Sequence, residues 1–232
     1  MALEAIEGNH RLEARLRSPG SLPTLVDRPA LVHTARTLAH LAVAVRTGEA
    51  PATRLVSVTG DVAEPAIVEL PAEGTLDTAL DAVDLANGFK AACVGGRFGG
   101  LTDSLDLAPT PERLAEADLG TEGSVEVLGR ERCVLCFVGR RTRFAAEANC
   151  GRCVPCREGA KQLVGRLRDV FDGEVDRDGI AELVRTMTGA SLCAFGVQAG
   201  RPARTALTAF DEEVAAHADG RCPTGACSAE VP

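Results

Sequence analysis

Four cysteines carry the chemistry that this sequence offers most clearly. Three stand in Cys150-Gly-Arg-Cys153-Val-Pro-Cys156, spaced C-x2-C-x2-C, and the fourth, Cys193, follows in Ser191-Leu-Cys-Ala-Phe-Gly196. Thiols at this spacing fold back around one centre, and a remote fourth closes a tetrahedral set. That is the ligand arithmetic of a [4Fe–4S] cluster, in which each iron takes one cysteine sulfur. A structural zinc site with four cysteine ligands competes for the same residues, but zinc modules usually join two C-x2-C knuckles. Three thiols in succession with one distant partner is a cluster pattern. Gly151 and Pro155 suit it, because a tight loop lets backbone N–H groups point at cluster sulfurs.

The chain has nine cysteines, an odd number that cannot pair completely within it. No basic head or apolar run of a secretory signal opens the sequence, so the expected location is the cytoplasm, where disulfides are disfavoured. Metal or cluster ligation is the better use of the thiols. Cys133 and Cys136 form a second C-x2-C in Arg132-Cys-Val-Leu-Cys-Phe137, an apolar, helical stretch with no partner pair nearby, and are expected as buried structural thiols. Cys222-Pro-Thr-Gly-Ala-Cys227 admits two readings: a tail with incidental thiols, or ligands of a second metal centre, with or without a partner chain. Cys93 lies in an expected strand as a small core residue. Gly95-Gly-Arg-Phe-Gly-Gly100 has neither the Gly-Lys-Ser/Thr of a phosphate loop nor the G-x-G-x-x-G of a dinucleotide site and reads as a turn. The histidines (His10, His33, His40, His217) are scattered, and no arrangement of a hydrolytic site stands out, so no catalytic residue is assigned.

Composition narrows the class further. A chain of 232 residues can bury a substantial core as one or two domains. The net charge of −8 argues against nucleic acid as a partner. No run approaches the roughly 18 apolar residues of a membrane span, so no direct membrane insertion is expected.

The elements that must position the thiols are legible from periodicity. Leu31, Ala35, Leu38, Ala39, Leu41, Ala42 and Val45 recur at a helical period and stop at Gly48-Glu-Ala-Pro51. Leu55–Gly60 and Ala66–Leu70 read as a hairpin, Gly74-Thr75 as the cap of a short helix through Leu76, Leu80 and Val83, and Ala91–Val94 as another strand. Beyond residue 126 helical patterns take over. One runs through Val134, Phe137, Val138 and Phe144 and one through Ala160, Leu163, Val164, Leu167, Val170 and Phe171. Another takes Ile180, Leu183, Val184 and Met187, capped by Asp178. A last one starts at Pro202 and carries Ala203, Leu207, Phe210 and Val214. The expected fold is α+β: a linker and helix over 1–50, a small β-grasp-like domain over 51–125, a helical cluster-binding domain over 126–220 and a cysteine-containing tail over 221–232.

With these residues in hand, the chain resembles the C-terminal two-thirds of the flavin-bearing, NADH-oxidising subunit of respiratory complex I, whose relatives occur in NAD-linked hydrogenases and formate dehydrogenases. The resemblance runs through Ala2-Leu-Glu-Ala-Ile-Glu-Gly8 and Arg28-Pro-Ala-Leu-Val-His-Thr-Ala-Arg-Thr-Leu-Ala-His40. Val58-Thr-Gly-Asp-Val-Ala-Glu-Pro65 is similar to the start of the family's soluble-ligand-binding β-grasp (SLBB) domain. Asn149–Gly159 and Ser191–Gly196 are similar to its cluster motifs, and the Cys222–Cys227 ending to that of the hydrogenase-type relatives. The family holds FMN and NADH in a preceding Rossmann-like domain, which has no counterpart in this sequence. Where the family carries an Asn-Asn pair near its flavin, this chain has His33-Thr34, followed by Arg36-Thr-Leu-Ala39. The resemblance therefore implies one [4Fe–4S] cluster on Cys150, Cys153, Cys156 and Cys193, and no FMN or NADH oxidation on this chain alone. It implies electron relay between a flavin- and NADH-binding partner and a further iron–sulfur subunit, in the cytoplasm or peripheral to a membrane complex. The rival readings are a partner-binding scaffold with a structural cluster or zinc, and a degenerate subunit.

Overall fold

The computed structural model describes residues 24–25, 28–31 and 33–227, which divide into two compact units. The smaller holds the described residues up to Ala52 together with Leu192–Ala194. The larger holds Thr53–Ser191 and the described chain from Phe195 onward. The first stretch of resemblance, Ala2–Gly8, lies outside the described residues.

In the smaller unit two short strands, β1 (Thr24–Leu25) and β2 (Arg28–Pro29), pair antiparallel. The expected helix follows as α1 (Ala35–Thr47). Thr34 caps it, its Oγ1 accepting the Thr37 N–H at 3.1 Å, and Gly48 ends it by donating to the Ala44 carbonyl at 2.8 Å. Its apolar period sets a helix without burying one: no residue of α1 is buried, and Leu38, Leu41 and Val45 are all more than half exposed.

The larger unit opens with the expected hairpin, β3 (Thr53–Gly60) and β4 (Ala66–Pro71), paired antiparallel with Val58 opposite Ala66. The expected short helix follows as a 3₁₀ helix, Leu76–Ala82. The N–H groups of Leu76 and Asp77 are taken by the carbonyls of Leu107 and Leu105 at 3.0 and 3.1 Å. The segment then closes with tighter bonds, Thr78 to Thr75 and Val83 to Leu80. Strand β5 (Ala91–Val94) is where periodicity places it. Strand β6 (Gly100–Thr102), helix α2 (Pro111–Glu116) and strand β7 (Ser124–Leu128) are additions to the expected elements. The sheet order is β4-β3-β7-β5-β6, with β3 and β7 parallel and the other pairs antiparallel. The strand that comes last in sequence thus holds the centre of the sheet and carries it past residue 125.

Six helices follow: α3 (Val134–Ala148), α4 (Val154–Phe171), α5 (Arg177–Ala190), α6 (Ala194–Gln198), α7 (Arg201–Ala209) and α8 (Asp211–Ala218). Asp176, not Asp178, caps α5, its Oδ1 accepting the Gly179 N–H at 2.8 Å. A cap must stand outside the helix to reach the third N–H. The pattern from Pro202 to Val214 is two helices, because Phe210 leaves helical dihedrals at φ −124° and ψ 47°. The fold is α+β, a mixed β-grasp-like sheet followed by a helical bundle. Among the described residues no helix is long and apolar enough to cross a membrane.

Sheet and bundle share β5. Ala92 and Val94 face a core with Val56, Val58, Leu76, Val125 and Val127. Ala91 and Cys93 face the helices, in a core with Leu128, Val138, Leu163, Leu167, Ile180 and Met187. Period-two alternation sends neighbours to opposite faces, so this strand is buried on both. Burial pushes the Cys93 thiol up to about 12, which makes it an inert core residue as expected.

The passage from β7 into α3 is fixed by Asp61. Its Oδ2 accepts the Gly129 N–H at 2.9 Å, and Arg132 donates to both oxygens, Nε to Oδ2 at 2.8 Å and Nη2 to Oδ1 at 2.7 Å. The hydrogen bond from Arg132 holds the carboxyl below its usual 3.8, against the opposing effect of burial and with help from Gly129. A depressed carboxylate stabilises the fold above its unfolded value, and the contribution is lost as pH falls through the folded one. Asp61→Asn is therefore expected to cost about 1 kcal/mol at pH 7. The gap to the parent should close as the pH falls below about 4. Denaturant midpoints measured at stepped pH check both, and a gap that does not vary with pH would rule the ion pair out as its source.

Candidate metal centre

Helix α3 ends at Ala148 and α4 begins at Val154, so the three closely spaced cysteines occupy the join. The Asn149 carboxamide ties off the first helix, Nδ2 donating to the Ala145 and Ala146 carbonyls at 3.1 and 2.7 Å. Its Oδ1 accepts the Gly151 N–H at 3.0 Å and turns the chain into the loop. Gly151 sits at φ +73° with nothing within 4 Å of where a Cβ would lie, so glycine is required there by dihedral and not by crowding. From the far side Arg157 reaches back, Nη1 donating to the Gly151 carbonyl at 2.6 Å. The loop is clamped from both helices.

Cys153 is the N-cap residue of α4 and Cys156 lies in its first turn, with Pro155 between them. The first intrahelical bond runs from the Arg157 N–H to the Cys153 carbonyl at 3.0 Å. A first helical turn offers N–H groups that have no acceptor within the helix, and proline there gives up nothing. Cys150 is exposed, Cys153 and Cys193 are half-buried, Cys156 is buried, and none is in a disulfide.

Cys193 belongs to the Leu192–Ala194 segment of the smaller unit, but the residues that bracket it in sequence return to the larger one. A Cβ on Gly196 would lie 2.6 Å from Ser191 Oγ and 2.8 Å from Cys156 Cβ. Only a residue without a side chain lets Ser191, Gly196 and Cys156 meet. Phe195 packs edge-on against Phe98 with ring centroids 5.0 Å apart. Phe144 completes the apolar group, its centroid 6.3 Å from that of Phe195.

A second set of donors converges elsewhere in the larger unit. The side-chain donor atoms of Cys133, His217, Cys222 and Cys227 all lie within 4.8 Å of one another. Cys133 Sγ is 3.3 Å from His217 Nε2, which is 3.3 Å from Cys227 Sγ, and the two sulfurs are 3.4 Å apart. Cys136 Sγ stands 2.8 Å from Cys227 Sγ. Burial pushes the Cys133 thiol up to about 12 and, together with hydrogen bonds to Cys136 and Cys133, raises Cys227 as well. At Cys222 the effect of burial is outweighed by hydrogen bonds with Thr224 and Cys227, which bring the thiol down to about 5.

Cys133 and Cys136 are buried in the core as expected, but Cys133 also belongs to this donor set. Their partners come from more than 80 residues later in the chain, beyond the reach of local pattern. His217 is likewise no scattered histidine. Its spacing is the available signal, since His217-x4-Cys222-x4-Cys227 places three metal-ligand residues at even steps.

Comparison with known proteins agrees with the fold. Residues 136–217 match the NADH-ubiquinone oxidoreductase-F iron-sulfur binding region. The F subunit of the NADH-quinone oxidoreductase of Streptomyces coelicolor is 32% identical over 243 residues, covering 95% of this chain and 54% of that protein. The alpha subunit of the NAD-reducing hydrogenase HoxS of Cupriavidus necator is 31% identical over 73% of this chain and 28% of its own length. Among solved structures, an NAD+-reducing [NiFe]-hydrogenase in the H2-reduced state superposes with a TM-score of 0.73 at 30% identity, over 93% of this chain and 40% of that one. The chain thus spans about half the length of the Streptomyces relative, 54% of it. It is similar to the F subunits of NADH-quinone oxidoreductases along 95% of its length, as a fragment of that family, and the shared part includes the iron–sulfur-binding region.

Proposed function

We propose that this chain holds one [4Fe–4S] cluster on Cys150, Cys153, Cys156 and Cys193 and relays single electrons through it. The donor would be a flavin- and NADH-binding partner and the acceptor a further iron–sulfur subunit. One observation carries the reading: the thiol loop is built at the mouth of α4, and all four cysteines fall within residues 136–217, the region matched to iron–sulfur binding.

The donor set suits the group. Four thiols, none in a disulfide, are the ligands that iron–sulfur clusters take. When bound, the cluster supplies one-electron chemistry. The chain's own part is ligation, orientation and exclusion of water. Asn149 and Arg157 hold the loop, Cys153 and Cys156 stand at the start of α4, and Gly196 lets Ser191 approach Cys156. Phe98, Phe144 and Phe195 form apolar packing at the start of α6.

Protein prepared without oxygen is expected to hold about four irons and four labile sulfides per chain, with broad visible absorption that bleaches on reduction. Cys153→Ser should lose both. A chain that takes up no sulfide after anaerobic reconstitution would sink the proposal, and an intact cluster that cannot be reduced would remove the relay role. The Gly196 contact yields a separate expectation. Gly196→Ala drives a methyl group into Ser191 and Cys156 and should cost about 1–3 kcal/mol, as overpacking does. Thermal midpoints and iron retention report it, and a variant as stable and as iron-retentive as the parent would show that the close approach is dispensable.

A further inference from the structure

We infer that Cys133, His217, Cys222 and Cys227 form a structural zinc site, independent of the cluster, that fastens the C-terminal segment to the start of α3. Three of the four residues lie outside the matched iron–sulfur region of 136–217.

The donors have the composition and spacing of one ion. Three thiolates and one imidazole are a structural zinc set, and a tetrahedral ion with Zn–S near 2.3 Å places its sulfurs about 3.8 Å apart. Here the donor atoms lie within 4.8 Å of one another, with Cys133, Cys227 and His217 separated by 3.3 to 3.4 Å. A multi-iron core seats each thiolate on a different iron and would spread them further. All four positions of a tetrahedron are filled by the protein, which is the closed arrangement of a structural site and leaves none open for substrate.

Groups around the donors hold them in place. His217 Nδ1 lies 2.7 Å from the Glu213 carbonyl, which can only accept, so Nδ1 carries the proton and the Nε2 lone pair faces the sulfurs. Such a bond to the remote ring nitrogen is the usual companion of a metal-bound imidazole. Phe171 packs edge-on against the ring, centroids 5.1 Å apart. Cys133 is the N-cap residue of α3, and its Sγ accepts the Cys136 N–H at 3.3 Å, a bond that orients the sulfur. The Glu213 side chain meanwhile accepts the Val134 N–H at 2.8 Å and pairs with Lys90 at 2.6 Å. Helix α8 is thereby docked on the start of α3 before any ion binds. The turn after α8, with the Gly225 N–H donating to the Cys222 carbonyl at 3.1 Å, then folds Cys222 and Cys227 back toward it.

Metal analysis of the full chain separates this site from the cluster. About one zinc per chain is expected in the parent, retained in Cys153→Ser when the iron is lost. Cys222→Ser and His217→Ala should lose the zinc and keep iron and sulfide. Cys136→Ala should keep both, since that thiol is outside the set. Cobalt supplied to zinc-stripped parent protein should give the visible bands of a tetrahedral thiolate complex, a readout that needs no variant to fold. Failure of the parent to bind zinc or cobalt would overturn the proposal. So would zinc retained in Cys222→Ser, zinc lost from Cys136→Ala, or iron and sulfide surviving Cys153→Ser in place of zinc.

Discussion

Every residue of β5 is buried, and the four alternate between two cores. A strand covered on both faces needs a layer on each, and this requirement shapes the rest of the larger unit. One layer is the 3₁₀ segment and α2, which bring in Leu76 and Leu114. The other is the helical bundle. The bundle is thus the second cover of the sheet, which is why Thr53–Ser191 and the chain from Phe195 form one compact unit. Magnitudes assign the roles. Burying a leucine such as Leu128 or Leu163 contributes about 2 kcal/mol, whereas a half-exposed pair such as Arg204 on Asp118 contributes roughly 1 or less. Apolar burial holds the layers together, and the ion pairs choose their register.

That register reaches the thiol loop through one helix. Asp61 fixes Gly129 and Arg132, the link between β7 and α3, so the sheet decides where α3 starts. The length of α3 then decides where Asn149 stands, and Asn149 sets the course of the loop. On the other side, α4 is located by Leu163 and Leu167 in the shared core. The loop between them is specified by its two ends, which allows Cys150 to be exposed without being loosely placed.

Local chemistry is legible in the sequence and distant pairing is not. The C-x2-C-x2-C spacing, the helical runs after it and the first hairpin each rest on residues within a few positions of one another. Strand β7 does not: Ser-Val-Glu-Val-Leu alternates correctly, but it acquires its place only from β3, more than 60 residues earlier. The short helix after Gly74 is legible but its 3₁₀ form is not, because its first N–H groups are claimed by the carbonyls of Leu107 and Leu105, which no helical pattern reveals. The Asp176 cap lies two residues from the expected one because Asp178 is an equally good capping type, and only the backbone shows which one stands outside the helix. Cys133 and His217 form the same lesson at a site, since each is ordinary until α8 is docked on α3.

Helix α3 links the two proposed centres, with Cys133 capping one end and Cys150 following the other. Its 15 residues span about 22 Å. The ends differ in what an ion there can do. Zinc has no accessible second oxidation state, so a zinc at the Cys133 end could carry no electron, and the proposed cluster at the other end would be the sole redox centre of the two. The zinc can only act mechanically, by holding α8 and the C-terminal segment on the first turn of α3. Fixing one end of a rigid helix fixes the heading of the other. A mechanical role also accounts for the burial of two of the four donors at the zinc end. An anchor gains from burial of Cys133 and His217, both nearly inaccessible to solvent, while a relay must keep an approach for its partners, as the exposed Cys150 does.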